Sequence, residues 1–236
     1  LIDRYGWQSP FVAMGVLGCV GAVSLFFIIP KDPEPVQPKA AVANYIGSYT
    51  RLVSSKPALA ALGYAFFVSA ANDNLFVVYG AWLEKSFGLG IVALGLGTSL
   101  IGVAELLGEG LTAAVSDRLG LTRAVVIGLS LTVLSYLTLP WLDTSLTAAL
   151  TGLTIVFFSF EFTMVTSITL CTELLPGFRA TMLAGFFATA GIGRVIGALM
   201  GGAIWQTGGI LATGCVSGGL TFAGLLCLIR GLKGWD

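Results

Sequence analysis

Seven apolar runs of bilayer length follow one another along a chain of 236 residues, and no water-soluble domain of that size has a core able to bury them all. They lie at Pro10–Ile29, Ala58–Trp82, Ile91–Ser116, Thr122–Leu139, Ser145–Cys171, Ala180–Trp205 and Ile210–Leu228. A helix crosses the hydrocarbon in about 20 residues, so the pattern predicts an all-α membrane protein with seven transmembrane helices. Composition agrees, with 56% hydrophobic and 10% charged residues, where a soluble domain carries about a quarter charged. Lys and Arg (12) cancel Asp and Glu (12) without any polybasic run, which excludes nucleic acid as a partner. The absence of His removes imidazole bases and ligands, and neither HExxH nor GxSxG occurs, so no enzyme, metal or cofactor is expected. Cys19, Cys171, Cys215 and Cys227 have no CxxC spacing and read as small core residues. Glycine, at 32 residues, predicts closely packed helices.

Residues 1–29 hold one span, 30–57 a linker, and 58–236 six further spans. The prolines at 30, 33, 35 and 38 enforce an extended linker, followed between Ala40 and Lys56 by an interfacial helix with Tyr45, Ile46, Tyr49 and Leu52 or Val53 on one face. The chain opens on Leu1-Ile2-Asp3-Arg4 without a signal peptide, as a piece of something longer would. With the linker cytoplasmic, Lys31, Lys39, Arg51, Lys56, Arg118, Arg123, Arg179, Arg230 and Lys233 share its side, against Arg4 and Lys85 opposite. The bias of basic residues to cytoplasmic loops then sets the N-terminus outside and the C-terminus inside a cell membrane. The last six spans form two groups of three entering from opposite faces, the pattern of inverted repeats in secondary transporters.

Charges interrupt four of the runs: Asp73 beside Asn72 in the second, Glu105 and Glu109 in the third, Glu161 in the fifth, Arg194 in the sixth. A charge at that depth costs at least ~2.5 kcal/mol, so it must face a partner or a wet cavity. Thr98, Gly102, Glu105, Glu109, Thr112 and Ser116 recur at helical spacing and make one polar stripe. Ser159, Thr163, Thr166 and Thr169 make another, with Glu161 roughly opposite among Phe157, Phe158 and Val165, so that only one of those faces can line a pathway. Gly193, Gly197 and Gly201 form a small-residue seam beside Arg194. That guanidinium stays charged and must pair with Asp73, Glu105 or Glu109. Four acids against one base leave carboxylates over, and a buried carboxylate without a counter-ion can carry a proton. The alternative is a set of ion pairs that only fixes helix packing.

Two loops carry a resemblance. Asp117-Arg118-Leu119-Gly120-Leu121-Thr122-Arg123 resembles the D-R-x-G-x-x-R signature of the major facilitator superfamily, with Ala113 where the family usually has Gly four places before the Asp. Glu173-Leu174-Leu175-Pro176-Gly177-Phe178-Arg179-Ala180-Thr181 resembles that family's E-L-x-P-x-x-R-[AG]-T loop, and Tyr5-Gly6-Trp7-Gln8-Ser9-Pro10-Phe11 the start of its sixth helix. The resemblance implies the sixth helix, central linker and C-terminal six-helix bundle of a twelve-helix transporter, with the second, third, fifth and sixth spans around the cavity. It also implies that Asp117, Arg118, Arg123, Glu173 and Arg179 belong to a cytoplasmic gate. The plainer reading has Asp117 capping the next helix while Arg118 and Arg123 anchor topology. The function expected is alternating-access transport of a small solute, with proton coupling, through Asn72, Asp73, Glu105, Glu109, Glu161 and Arg194. Its rivals are an anion or organic-acid transporter built on Arg194, and a non-transporting receptor or assembly subunit. The expected partners are the solute, protons, the bilayer and an N-terminal half of the same protein.

Overall fold

The computed structural model describes residues 5–6, 8–29 and 45–234, and every element among them is helical. The prolines at 30–38 and the start of the expected interfacial helix lie outside the described residues. The chain divides into two units, Leu1–Val42 and Ala43–Asp236. The first contains α1, Ser9–Ile28, begun by Pro10 in its first turn. None of its residues is buried within its own unit, as suits a helix that is apolar all round.

The second unit starts with the short α2, Tyr45–Ser54, of which Leu52 is buried while Tyr49 and Val53 stay exposed. Among the described side chains of that expected face Leu52 packs, and Arg51 lies over the Phe178 ring at 5.2 Å. Next, α3 spans Lys56–Phe76, its start fixed by Pro57 and by the Ser55 hydroxyl, which accepts from the Ala58 amide. The run read as one span is broken at 77–78, and α4, Tyr79–Phe87, carries it to Gly88. Neither Gly nor Pro marks that break. The far segment is held instead by Trp82, whose Nε1 donates to Asp143 Oδ1 at 3.0 Å.

Three long helices follow: α5, Ile91–Leu119, α6, Leu121–Thr138, and α7, Leu146–Leu174, with a 3₁₀ turn at Leu139–Leu142 before α7. The last, α8, runs Arg179–Leu232 but folds back at Gly209, whose φ of 58° and ψ of −151° suit only glycine. The two arms, 179–208 and 210–232, are the sixth and seventh spans. Among the described residues six helical stretches are thus long and apolar enough to cross a bilayer, and the turn at Gly209 makes them seven.

Glycines set the spacing between the two triplets of helices. A Cβ on Gly193 or Gly197 of α8 would overlap the carbonyl oxygens of Phe66 and Ala70 on α3, and one on Gly201 would meet the Asn74 carbonyl at 2.8 Å. In the reciprocal position, a Cβ on Gly108 of α5 would meet the Phe158 carbonyl of α7 at 2.6 Å. So the middle helix of each triplet lays a glycine on the backbone of the other triplet's first helix. The third helices behave alike. Gly128 of α6 abuts Thr163 and Phe162 of α7, and Gly224 and Gly231 of α8 abut α3 at Val68 and Ala60. Between the third helices themselves, Gly214 and Gly218 lie against Tyr136 and Leu137. Exchanging the triplets reproduces the contact pattern, which is the geometry of an inverted repeat.

The thiols depart from the sequence reading. Only Cys171 is buried, Cys227 is half-buried, and Cys19 and Cys215 are exposed. A thiol is apolar enough to face hydrocarbon, so burial inside the protein is not required of it.

Candidate functional site

Four of the interrupting charges sit at the middle of their spans. The helical stretches Lys56–Phe87, Ile91–Leu119 and Leu146–Leu174 and the arm 179–208 have midpoints near 71, 105, 160 and 193, against Asp73, Glu105, Glu161 and Arg194. The largest offset is about two residues, or ~3 Å of rise. Each of four helices therefore carries a charge near its middle.

The glycine seam sets the lateral geometry. With Gly193 on Phe66 and Gly197 on Ala70, the side chain next to Gly193 meets α3 two turns further along. There Arg194 Nε lies 3.1 Å from Asp73 Oδ2, so Asp73 is the counter-ion selected from the three the sequence offered. The pair is lopsided: the Asp73 side chain is 13% exposed and that of Arg194 62%. The carboxylate is sunk between helices while the guanidinium reaches outward from them.

This pair forms part of the wall of a cavity of about 350 Å³. Helix α3 supplies Ser69 and Asp73, α7 supplies Phe160, Glu161, Met164 and Ile168, and the first arm of α8 supplies Phe187, Ala190, Gly191 and Arg194. Ser69 Oγ, buried on that wall, has no hydrogen-bond partner. Glu161 belongs to the wall, so of the two faces of this helix the carboxylate's lines the cavity and the Ser/Thr face does not. Ser159, Thr163 and Thr166 are buried, with hydroxyls bonded to carbonyls of their own helix, as Thr163 Oγ1 to Ser159 O at 2.6 Å and Thr166 Oγ1 to Phe162 O at 2.7 Å. Hydroxyls can satisfy themselves on the preceding turn and pack, whereas a carboxylate only accepts and has no such recourse. Thr166 also meets Thr112 of α5 at 3.3 Å, which makes this stripe part of the α5–α7 contact.

The α7 wall is buttressed from behind. Tyr64, fully buried on α3, has its hydroxyl 2.8 Å from Ser167 Oγ and 3.9 Å from Met164 Sδ. Next to Asp73 on α3, Asn74 Nδ2 donates to Ser217 Oγ at 2.9 Å and Thr213 O at 3.3 Å, tying α3 to the second arm of α8.

The remaining residues are placed differently. Asn72 is buried, 4% exposed, off the cavity wall, and its Oδ1 has no partner. Glu105 is half-buried and Glu109 exposed on α5, neither on the wall; both lie within electrostatic range of Glu161, and Glu105 also of Arg194. The α5 polar stripe divides accordingly, with Thr112 and Ser116 buried and Thr98, Gly102 and Glu109 exposed. No wall residue comes from α6 or from the second arm of α8.

At the end of the bundle where α5 meets α6, Asp117 and Arg118 occupy the last turn of α5 and Arg123 the first of α6, all exposed. Gly120 between them turns the chain with a φ of 81°. Helix α6 begins without a side-chain cap, so Asp117 does not cap it. Glu173 is exposed near the end of α7, and Arg179 Nε donates to the Thr172 carbonyl at 3.2 Å. None of Asp117, Arg118, Arg123 and Glu173 forms an ion pair among the described residues.

Comparison with known proteins agrees with this architecture. The model of the Major Facilitator Superfamily matches residues 1–177 and, in an overlapping register, 62–233. An uncharacterized MFS-type transporter of Bacillus subtilis (strain 168), YceJ, is 22% identical over 207 residues, covering 87% of this chain and 52% of that protein. The crystal structure of a bacterial homolog to the human lysosomal transporter Spinster, in an inward-facing and unoccupied conformation, superposes with a TM-score of 0.59 at 16% identity. The match takes in 97% of this chain and 58% of that one. The chain therefore spans about half the length of the relatives it matches.

Proposed function

The chain belongs to the major facilitator superfamily, and on that premise we propose that it serves a secondary transporter which moves a small solute across a membrane by alternating access. In this reading α1 closes an N-terminal bundle, residues 30–57 link the halves, and residues 58–236 supply the C-terminal bundle with its basic end in the cytoplasm. The observation that carries it is the Asp73–Arg194 pair, sharing one cavity wall with Glu161, which forms no ion pair among the described residues. Charges held there cost several kcal/mol unless water, an ion or a solute reaches them.

Arg194 acts as a switchable counter-ion. Asp73 holds its Nε edge, while Glu161 and Glu105 lie within range of the same charge. A proton taken by one carboxylate releases the guanidinium to another, which couples protonation to the packing of α3 against α8. Glu161 is the proton carrier on the cavity wall and Glu105 its neighbour on α5. The loops at Asp117–Arg123 and Glu173–Arg179 gate the basic end.

The test uses the full-length protein in proteoliposomes, screened for a solute whose flux follows an imposed pH gradient. Collapse of the gradient should abolish that flux, Asp73→Asn should lower it at least tenfold, and Glu161→Gln should leave exchange but uncouple it. Gradient-independent flux in all three proteins would reject proton coupling, and binding without flux would favour a receptor or assembly subunit.

A second reading is favoured by the exposure of Arg194. Arg194 stays 62% exposed while paired with Asp73 through Nε, so its guanidinium can present an edge to a bidentate carboxylate. Competition by organic acids, lost in Arg194→Gln, would establish an anionic solute.

A further inference from the structure

A second cavity, of about 510 Å³, lies away from the charged site, between α3 and the second arm of α8. These helices run antiparallel, so the first residue of α3, Lys56, and the last turn of α8, with Arg230, meet at the same end. Close packing there is set by Gly231, whose Cβ would overlap that of Ala60, and by Gly63, whose Cβ would stand 3.6 Å from Cys227 Sγ. The resulting groove has two cations at its mouth and Leu59, Phe67, Ala223 and Leu226 along its walls. From Lys56 to Phe67 it extends over eleven residues of helix, or ~16 Å. No carboxylate lines it. Both cations are exposed, and neither forms an ion pair among the described residues.

The two cations stand at helix ends, where the bilayer presents headgroups, and the apolar walls run from there toward its middle. An occupant complementary to that layout has an anionic head and an extended hydrocarbon tail. We infer that the groove between Lys56 and Arg230 binds one anionic phospholipid, its phosphate between the two side chains and an acyl chain along Leu59, Phe67, Ala223 and Leu226. Charge separates this lipid from zwitterionic ones, since each basic residue near the surface attracts anionic headgroups.

The experiment is native mass spectrometry of the full-length protein released from vesicles of equal phosphatidylglycerol and phosphatidylcholine. The wild type should retain one phosphatidylglycerol with a preference of roughly tenfold. Lys56→Gln/Arg230→Gln should reduce that preference to near parity. Cys227→Trp, which fills the groove and keeps both cations in the sequence, should lower retention of both lipids. Equal retention in wild type and double variant would overturn the inference. So would displacement of the bound lipid by inorganic phosphate alone, which would mark a plain anion site, or a dimer that the Trp variant dissociates, which would mark a second copy as the occupant.

Discussion

At the scale of single residues, the informative contrast is between Glu161 and the hydroxyls around it on α7. Both were visible in the sequence as polar positions in an apolar run. Which face points to the cavity was not, because side-chain chemistry decides it: Thr163 and Thr166 satisfy themselves on the preceding turn and can be buried at a helix contact. The requirement that Arg194 be paired was legible, but its choice of Asp73 depends on the glycine register against α3. Asn72 and Asn74 show the same limit, since both are buried amides two positions apart, yet Asn74 bridges helices while Asn72 Oδ1 finds no partner. Asn74→Ala removes that bridge and should destabilise the protein by ~1 kcal/mol, as is typical of interhelical hydrogen bonds. A fall in the midpoint of SDS-induced unfolding, repeated in Ser217→Ala and not enlarged in the double variant, would check it.

At the scale of elements, the span count and the turn at Gly208-Gly209 were legible, because apolar length and paired glycines signal them directly. The break at 77–78 was not. It lies between Val77 and Val78, without Gly or Pro, and is held by the contacts of Trp82 with Asp143 and of Lys85 with the Trp205 ring at 5.8 Å. The seam of Gly193, Gly197 and Gly201 was legible as a seam, while the identity of the helix it receives required the fold. Since no side chain fits between Gly197 and the Ala70 carbonyl, Gly197→Ala must push α8 from α3 at the level of the ion pair. Overpacking of this kind costs about 1–3 kcal/mol. Flux should fall as severely as in Asp73→Asn although no charge is removed, whereas Gly202→Ala, off the cavity wall and with open space at its Cβ, should transport normally. Parallel assays of the two variants decide it.

At the scale of the whole molecule, two triplets exchange equivalent glycine contacts, and four of their spans each carry a charge near mid-helix. Alternation of the spans made the repeat readable. The cavity wall was not, since Phe160, Met164, Ile168 and Phe187 look like any lipid-facing apolar residues until α7 and α8 face each other. Such a wall is useful only if water reaches it from either side of the membrane. Gly191 lines it with room for a side chain, so the decisive measurement labels Gly191→Cys, in a full-length protein otherwise free of cysteine, with a membrane-impermeant maleimide applied to each side in turn. Transport past the Asp73–Arg194 pair requires modification from both sides, with Asp73→Asn shifting the ratio of the two rates. Modification from neither side, or from one side alone under every condition, would contradict it.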